Sequence, residues 1–227
     1  MRVAGVDGCR SGWVAVVLDG GQVTGTLVAA TLREVVDACP QAGVIGVDMP
    51  MGLIDRGWRE ADRLAAARLG EQRSRLFMVP PRAAWAAATY PEAVAVCREL
   101  TEPPAGFSKQ AWGLKDKISQ AGELRAAQPG RLFEVHPELA FAELNGGRTV
   151  AASKKPWNGQ MSRRALLAEA GLHLPDDLGP TGMVAVDDIL DAAAVAWSAA
   201  RIAVGTAACL PGPPPAGPDG QPIAIWY

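Results

Sequence analysis

Along the chain, short runs of apolar residues at both ends alternate with a middle third in which apolar positions recur at helical spacing. RVAGVDG (2–8) and WVAVVLD (13–19) are β-branched-rich runs. The DGG at 19–21 carries the second into QVTGTLVAA with the glycine chemistry of a hairpin turn. Three antiparallel strands are therefore predicted to open the fold. Thr31 followed by Glu34 is a capping box, so TLREVVDAC predicts a short helix that ends near Pro40. VIGVDMP (44–50) is a nearly continuous apolar run, the pattern of a strand covered on both faces, and it terminates on Asp48.

Residues 55 to 131 change character. READRLAAARLG and KQAWGLKDKISQAGELRAA predict helices, joined by the proline-rich loops FMVPPR and TEPPAGFS. RLFEVHPELAF returns to strand-like composition and carries Glu134 and His136 before Pro137. SRRALLAEAG (162–171) predicts a short helix with Ser162 as cap and Gly171 as stop. In DDILDAAAVAWSAARIAVG (187–205), Leu190, Ala193, Ala194, Trp197 and Val204 form an apolar helical stripe. The proline-rich tail ends in a short apolar stretch suited to an edge strand.

A length of 227 residues and 49% hydrophobic composition predict one globular domain over 1–227, with 55–131 as a mostly helical insertion or lid. The net charge of -2 conceals an asymmetry. The insertion carries 13 Lys/Arg against 9 Asp/Glu, and the remainder 9 against 15. Such charges either solvate helical faces or place a basic cover beside an acidic core. No apolar run approaches a membrane span, and MRVAGVDGCRSGW lacks the features of a signal peptide, so the expected setting is cytoplasmic, without membrane association. Cys9, Cys39, Cys97 and Cys209 are too scattered for a zinc knuckle or a redox dithiol.

The candidate chemistry is acidic. Asp7 and Asp48 each stand at the carboxyl end of a predicted strand, and Asp188 and Asp191 share one face of a helix start. Each has a structural alternative, as a turn residue or a helix cap. Converging carboxylates would repel one another unless cations were present, and two hard divalent cations, Mg²⁺ or Mn²⁺, would relieve that repulsion.

The phrases GVDGCRSGWVAV, GVDMPMGL, FMVPPR, GFSKQAWGLKDKI, EVHPE and DDILDAAAVAW, in this order, resemble the predicted ribonuclease H-like nuclease family known as domain of unknown function family 429. DILDA is also similar to the two-aspartate helix start of RuvC-type resolvases. The resemblance implies an α/β fold, a ribonuclease H-like mixed five-stranded sheet flanked by helices with a helical insertion after the fourth strand. It further implies a metal-dependent nuclease that hydrolyses phosphodiesters at a two-metal acidic site. Asp7, Asp48, Asp188 and Asp191 would be the metal ligands, with Asp7 bridging.

Around them, Glu134 is either a further acidic ligand that positions water or a salt-bridged strand-end residue. His136 is either a proton shuttle titrating near neutrality or a hydrogen-bonded core histidine. Arg10 and Ser11, in the turn after Asp7, can meet a phosphate or simply brace the turn. Arg75, Arg82, Lys109, Lys115, Lys154 and Lys155, with Arg163 and Arg164, are candidates for contacts to a DNA or RNA backbone, and Trp157 for stacking on a base. A pI near 5.7 makes any such contact local. Two other classes stay open: a nucleotide-binding ATPase or kinase of the actin-like kind, whose first strand also ends in a DG turn, and a noncatalytic module of the same fold. Oligomeric state is left open.

Overall fold

The computed structural model describes residues 1–227. Strands β1 (Arg2–Cys9) and β2 (Gly12–Asp19) form a hairpin whose turn is only Arg10 and Ser11. β3 (Gln22–Ala29) follows through Gly20 and Gly21, both at positive φ, as a two-residue hairpin turn of matching twist requires. Helix α1 (Leu32–Ala38) starts on the capping box of Thr31 and Glu34. β4 (Val44–Val47) then pairs parallel to β1.

The chain next leaves the sheet for α2 (Glu60–Leu69), a 3-10 turn over Gly70–Arg75, α3 (Arg82–Ala86), α4 (Tyr90–Leu100), α5 (Lys109–Trp112) and α6 (Lys115–Ala127). It re-enters as β5 (Leu132–Glu134), parallel to β4. α7 (Pro137–Leu144), α8 (Trp157–Glu169) and α9 (Val186–Ala203) follow, and β6 (Cys209–Leu210) with β7 (Ile225–Trp226) close the chain. The order β3-β2-β1-β4-β5 is the expected ribonuclease H-like mixed sheet. No helix is long and apolar enough to cross a membrane.

What positions the site is the way α9 lies on the sheet. Ala192, Val195 and Ala196, all fully buried, bring the helix backbone down onto the sheet. Opposite them stand glycines. A Cβ on Gly5 would fall 2.0 Å from the Ala196 amide nitrogen and 2.3 Å from the Ala192 carbonyl, and one on Gly46 would fall 2.8 Å from Val195 Cγ1. Side chains alternate across a strand, so the positions two residues beyond these glycines, Asp7 and Asp48, lie toward the same helix. The second core, on the opposite face, packs α1 and α6 residues such as Val35, Val36, Ile118 and Leu124 against Ala4, Val6 and Ile45.

Several local expectations are corrected. In RLFEVHPELAF the strand β5 ends at Glu134, with one further backbone bond from the Val135 amide to Val47, and Pro137 opens the buried α7, because a short apolar run does not by itself distinguish strand from helix. α8 begins at Trp157 after Pro156, and Ser162 is interior to it, bonding back to the Asn158 carbonyl instead of capping. Gly113 and Leu114 divide the expected 109–127 helix into α5 and α6. Val204 follows the last residue of α9 and is 66% exposed, so it lies outside the apolar stripe. The tail meets the sheet through a parallel bridge between Trp226 and Val135 and through the Trp226 ring, which packs edge-on against Phe133 of β5.

Candidate metal centre

The parallel register of β1 and β4 pairs Val6 with Val47, and the Asp48 amide donates to the Val6 carbonyl at 2.8 Å. Asp7 and Asp48 are therefore neighbours one step beyond the ladder. α9 supplies Asp191 from above. One carboxylate oxygen from each of Asp7, Asp48 and Asp191 lies within 4.8 Å of the other two. Asp7 is 6% and Asp191 1% exposed, and Asp48 is half-buried. Asp7 Oδ1 accepts the Gly8 amide at 2.6 Å. Asp191 Oδ2 accepts from Lys154, while its Oδ1 is buried without any partner.

Burial and mutual repulsion set the protonation of this cluster. Burial first, then the charges of Asp48 and Asp191, hold Asp7 well above the usual carboxylate range. Burial and Asp191 raise Asp48 to about 7, and burial raises Asp191 to about 6 even though Lys154 opposes it. Lys154 is pushed up by Asp191 against the cost of its own burial. Asp188, one helical turn before Asp191, is half-buried and outside the close trio, though its charge still reaches Asp7.

Lys154 is the unexpected member. Expected on a nucleic-acid surface, it instead pairs with Asp191 inside the acidic centre. Its loop is pinned by two arginines. Arg75 donates to the Val150 and Ala151 carbonyls at 2.8 and 3.1 Å, and Arg163 to the Ala152 carbonyl at 3.1 Å. Both also pair with the buried Glu138 at 2.7 Å. Arg75 is thus occupied within the protein.

Glu134 is also engaged elsewhere. Its two oxygens accept from Arg59 at 2.6 and 2.8 Å, and one accepts the Met51 amide at 2.7 Å. Arg59 pairs in turn with Asp62, whose Oδ2 accepts the Val79 amide at 2.9 Å. This buried Arg59–Asp62–Glu134 network ties the loop after Asp48 and the FMVPP segment to β5. Sequence reading missed it, although an Arg and an Asp three apart at a helix start were a visible signal.

His136 precedes α7 with its Nδ1 buried and unpaired, and burial lowers its pKa to about 4. Burial thus favours the neutral imidazole. Lys117, also missed, donates to the Cys9 and Gly12 carbonyls over the Trp13 ring and so staples the turn beyond Asp7.

The other predicted residues lie apart. Arg10 and Ser11 form the exposed hairpin turn, with Ser11 Oγ 3.4 Å from Cys9 Sγ. Arg82 bonds Leu53 and Asp55, and Lys115 bonds the Ala87 carbonyl beside the Trp112 ring. Lys109 is exposed, Trp157 is 70% exposed, and Arg164 pairs with Asp176 at the surface. Lys155 lines a cavity next to the trio.

Two cavities meet at this centre. One, of about 160 Å³, is walled partly by Met49, Leu76, Phe77 and Leu114 and reaches Asp7 and Asp48. The other, of about 350 Å³, has no hydrophobic lining residue and reaches Asp48 and Asp191. Asp48, Arg75 and His136 belong to both.

The donor set fits a hard divalent cation: three clustered carboxylates with one buried oxygen left unpartnered. A linkage follows. The folded, metal-free protein holds a proton that the unfolded chain has released between about pH 4 and 7, since Asp48 and Asp191 titrate near 7 and 6 instead of 3.8. Where the folded state binds the extra proton, stability falls as pH rises, at about 1.4 kcal/mol per pH unit per proton. Melting curves of metal-free protein should therefore shift downward from pH 5 to pH 7, and Mn²⁺ should reverse much of the loss at pH 7. A melting temperature indifferent to both would contradict this charge state.

A family model described as protein of unknown function (DUF429) matches residues 5–216. No curated protein and no solved structure matches the chain.

Proposed function

This chain belongs to the DUF429 family, and from its acidic centre we propose that it is a cytoplasmic, divalent-metal-dependent phosphodiesterase of the nuclease class. The observation that carries this reading is the convergence of Asp7, Asp48 and Asp191, with the buried Asp191 Oδ1 unpartnered. Asp7, Asp48 and Asp191 would hold Mg²⁺ or Mn²⁺, and Asp188 is the carboxylate available, beside Asp7, to a second ion. A bound metal at such a site lowers the pKa of water and stabilises charge on phosphate oxygens.

The chain's own groups define the rest. Lys154 balances Asp191 before substrate arrives and can turn from that carboxylate toward a phosphate. His136, neutral and with Nδ1 unpaired, accepts a hydrogen bond without adding charge. The segment 55–131 leaves from the end of β4 and contributes Arg59, Phe77 and Leu114 to the wall above the carboxylates, the place of a lid. The partner proposed is nucleic acid, DNA or RNA.

The direct test combines Mn²⁺ titration by calorimetry with hydrolysis of labelled DNA and RNA in Mg²⁺ or Mn²⁺. Neither binding nor hydrolysis would refute the reading. Lys154→Met sharpens it. Removing a competing cation should tighten Mn²⁺ binding by about tenfold, while hydrolysis falls by roughly 10- to 100-fold through loss of a charge beside the phosphate. An unchanged metal affinity would show that the lysine does not share the centre.

A further inference from the structure

The two cavities differ in chemistry and share one wall, and this bears on which phosphodiesters reach the carboxylates. The smaller chamber has an apolar side of Met49, Leu76, Phe77 and Leu114 facing a charged side of Asp7, Asp48, Arg59 and Glu134. Phe77 is the one phenylalanine in the chain whose ring packs on no other aromatic ring and under no cation: Phe107 joins the cluster with Trp85, Tyr90 and Trp112, Phe133 meets Trp226, and Phe141 lies under Arg163. Its half-buried face is available inside the cavity. The larger chamber has only polar or small lining residues, and there the side chains of Ser74, Gln110, Ser153 and Lys155 make no hydrogen bond within the protein. Asp48 and His136 stand between the chambers, with Asp7 opening to the apolar one and Asp191 to the polar one.

We infer that the site takes a nucleotide-sized phosphodiester, free or at the end of a single strand, and not an internal linkage of a strand, single or duplex. This rests on the phosphodiesterase reading and narrows its substrate. One ring seats against Phe77 in the apolar chamber, the scissile phosphate lies at the Asp48–His136 wall, and the phosphorylated remainder enters the polar chamber beside Lys155. Two features of the site point to this. Asp7 and Asp191 are 6% and 1% exposed, beyond the reach of phosphates on the broad convex surface of a double helix, and each chamber has the dimensions of part of a small-ligand pocket. In the reaction, the oxygen of one water bonds to phosphorus and the P–O bond to the ring-bearing group breaks. The leaving oxygen keeps the electron pair and takes one proton of the water, and the other proton stays with the new phosphate monoester or passes to solvent.

The experiment uses the full chain with Mn²⁺ and three substrates: thymidine 5'-(4-nitrophenyl phosphate), an end-labelled linear single strand, and a covalently closed circular single strand of the same sequence, with DNA and RNA forms of each strand. Hydrolysis of the aryl ester, shortening of the linear strand from an end, and an intact circle support the inference. The ester and the strands distinguish free small esters from strand ends as the source of the phosphodiester. Phe77→Ala should raise KM for the aryl ester about tenfold with a much smaller change in kcat, the signature of lost ring binding. Phe77→Leu should recover part of it. Cutting of the circle at the rate of the linear strand would overturn the inference and leave the phosphodiesterase reading standing, and so would an unchanged KM in a folded Phe77→Ala. Hydrolysis of none of the three would overturn both.

Discussion

Replacing Asp7 by asparagine is expected to reduce phosphodiester hydrolysis at least about a thousandfold, equivalent to about 4 kcal/mol of transition-state stabilisation, while the protein stays folded. Asp7 feels the charges of Asp48, Asp191 and Asp188, and its removal would deprive a cation held by the trio of one of its three carboxylates. The same substitution relieves repulsion in the metal-free state. Burial and like charges already hold the Asp7 carboxyl well above its ordinary range, and a neutral amide of the same shape replaces it at little cost. The Asp7→Asn protein should therefore melt at or above the wild-type temperature without metal, yet gain less from Mn²⁺. Turnover, Mn²⁺ calorimetry and melting curves, measured together, check this. Near-wild-type hydrolysis, or undiminished Mn²⁺ affinity, would exclude Asp7 from the centre.

A second large effect is expected away from the carboxylate trio. Arg59→Met should destabilise the fold by about 3–5 kcal/mol, because it leaves Asp62 and Glu134 buried without their counter-charge. Both Arg59 and Asp62 are 1% exposed in their side chains, and Arg59 Nη1 also donates to the Met51 carbonyl at 2.9 Å. At about 2–4 °C per kcal/mol for a chain of this size, the melting temperature should fall by roughly 10 °C. Combining Arg59→Met with Glu134→Gln and Asp62→Asn should recover part of the loss, since the uncompensated charges go as well. A single variant as stable as wild type would mean that water, and not the arginine, neutralises this network. The consequence extends to the site, because the same arginine braces the Met51 loop just beyond Asp48.

The two effects differ in how far they could be foreseen. Asp7, Asp48 and Asp191 were legible because each belongs to a local pattern: a strand end, a strand end before proline and glycine, and an acidic helix start. The capping box at Thr31 and the hairpin glycines were legible for the same reason, as local turn and cap chemistry. By the same rule α4 could have been found from Thr89 and Glu92, which form another capping box. The role of Glu134 could not. It depends on Arg59, 75 residues away, and nothing local distinguishes a carboxylate left free for a metal from one claimed by a guanidinium.

The sequence by itself determined the opening strands, their turns, the main helix and the aspartates placed near their ends, because periodicities of 2 and 3.6 and the chemistry of caps and turns act over a few residues. The tertiary structure decided which charges meet. Of the lysines that resembled surface contacts for phosphate, Lys154 proved to lie against Asp191 and Lys115 against the Ala87 carbonyl and the Trp112 ring. It also separated Asp188 from the trio and set His136 low by burial. The physical reason is that burial and long-range pairing, not residue type, set the charge and availability of an ionisable group, and both arise only when α9 settles onto Gly5 and Gly46.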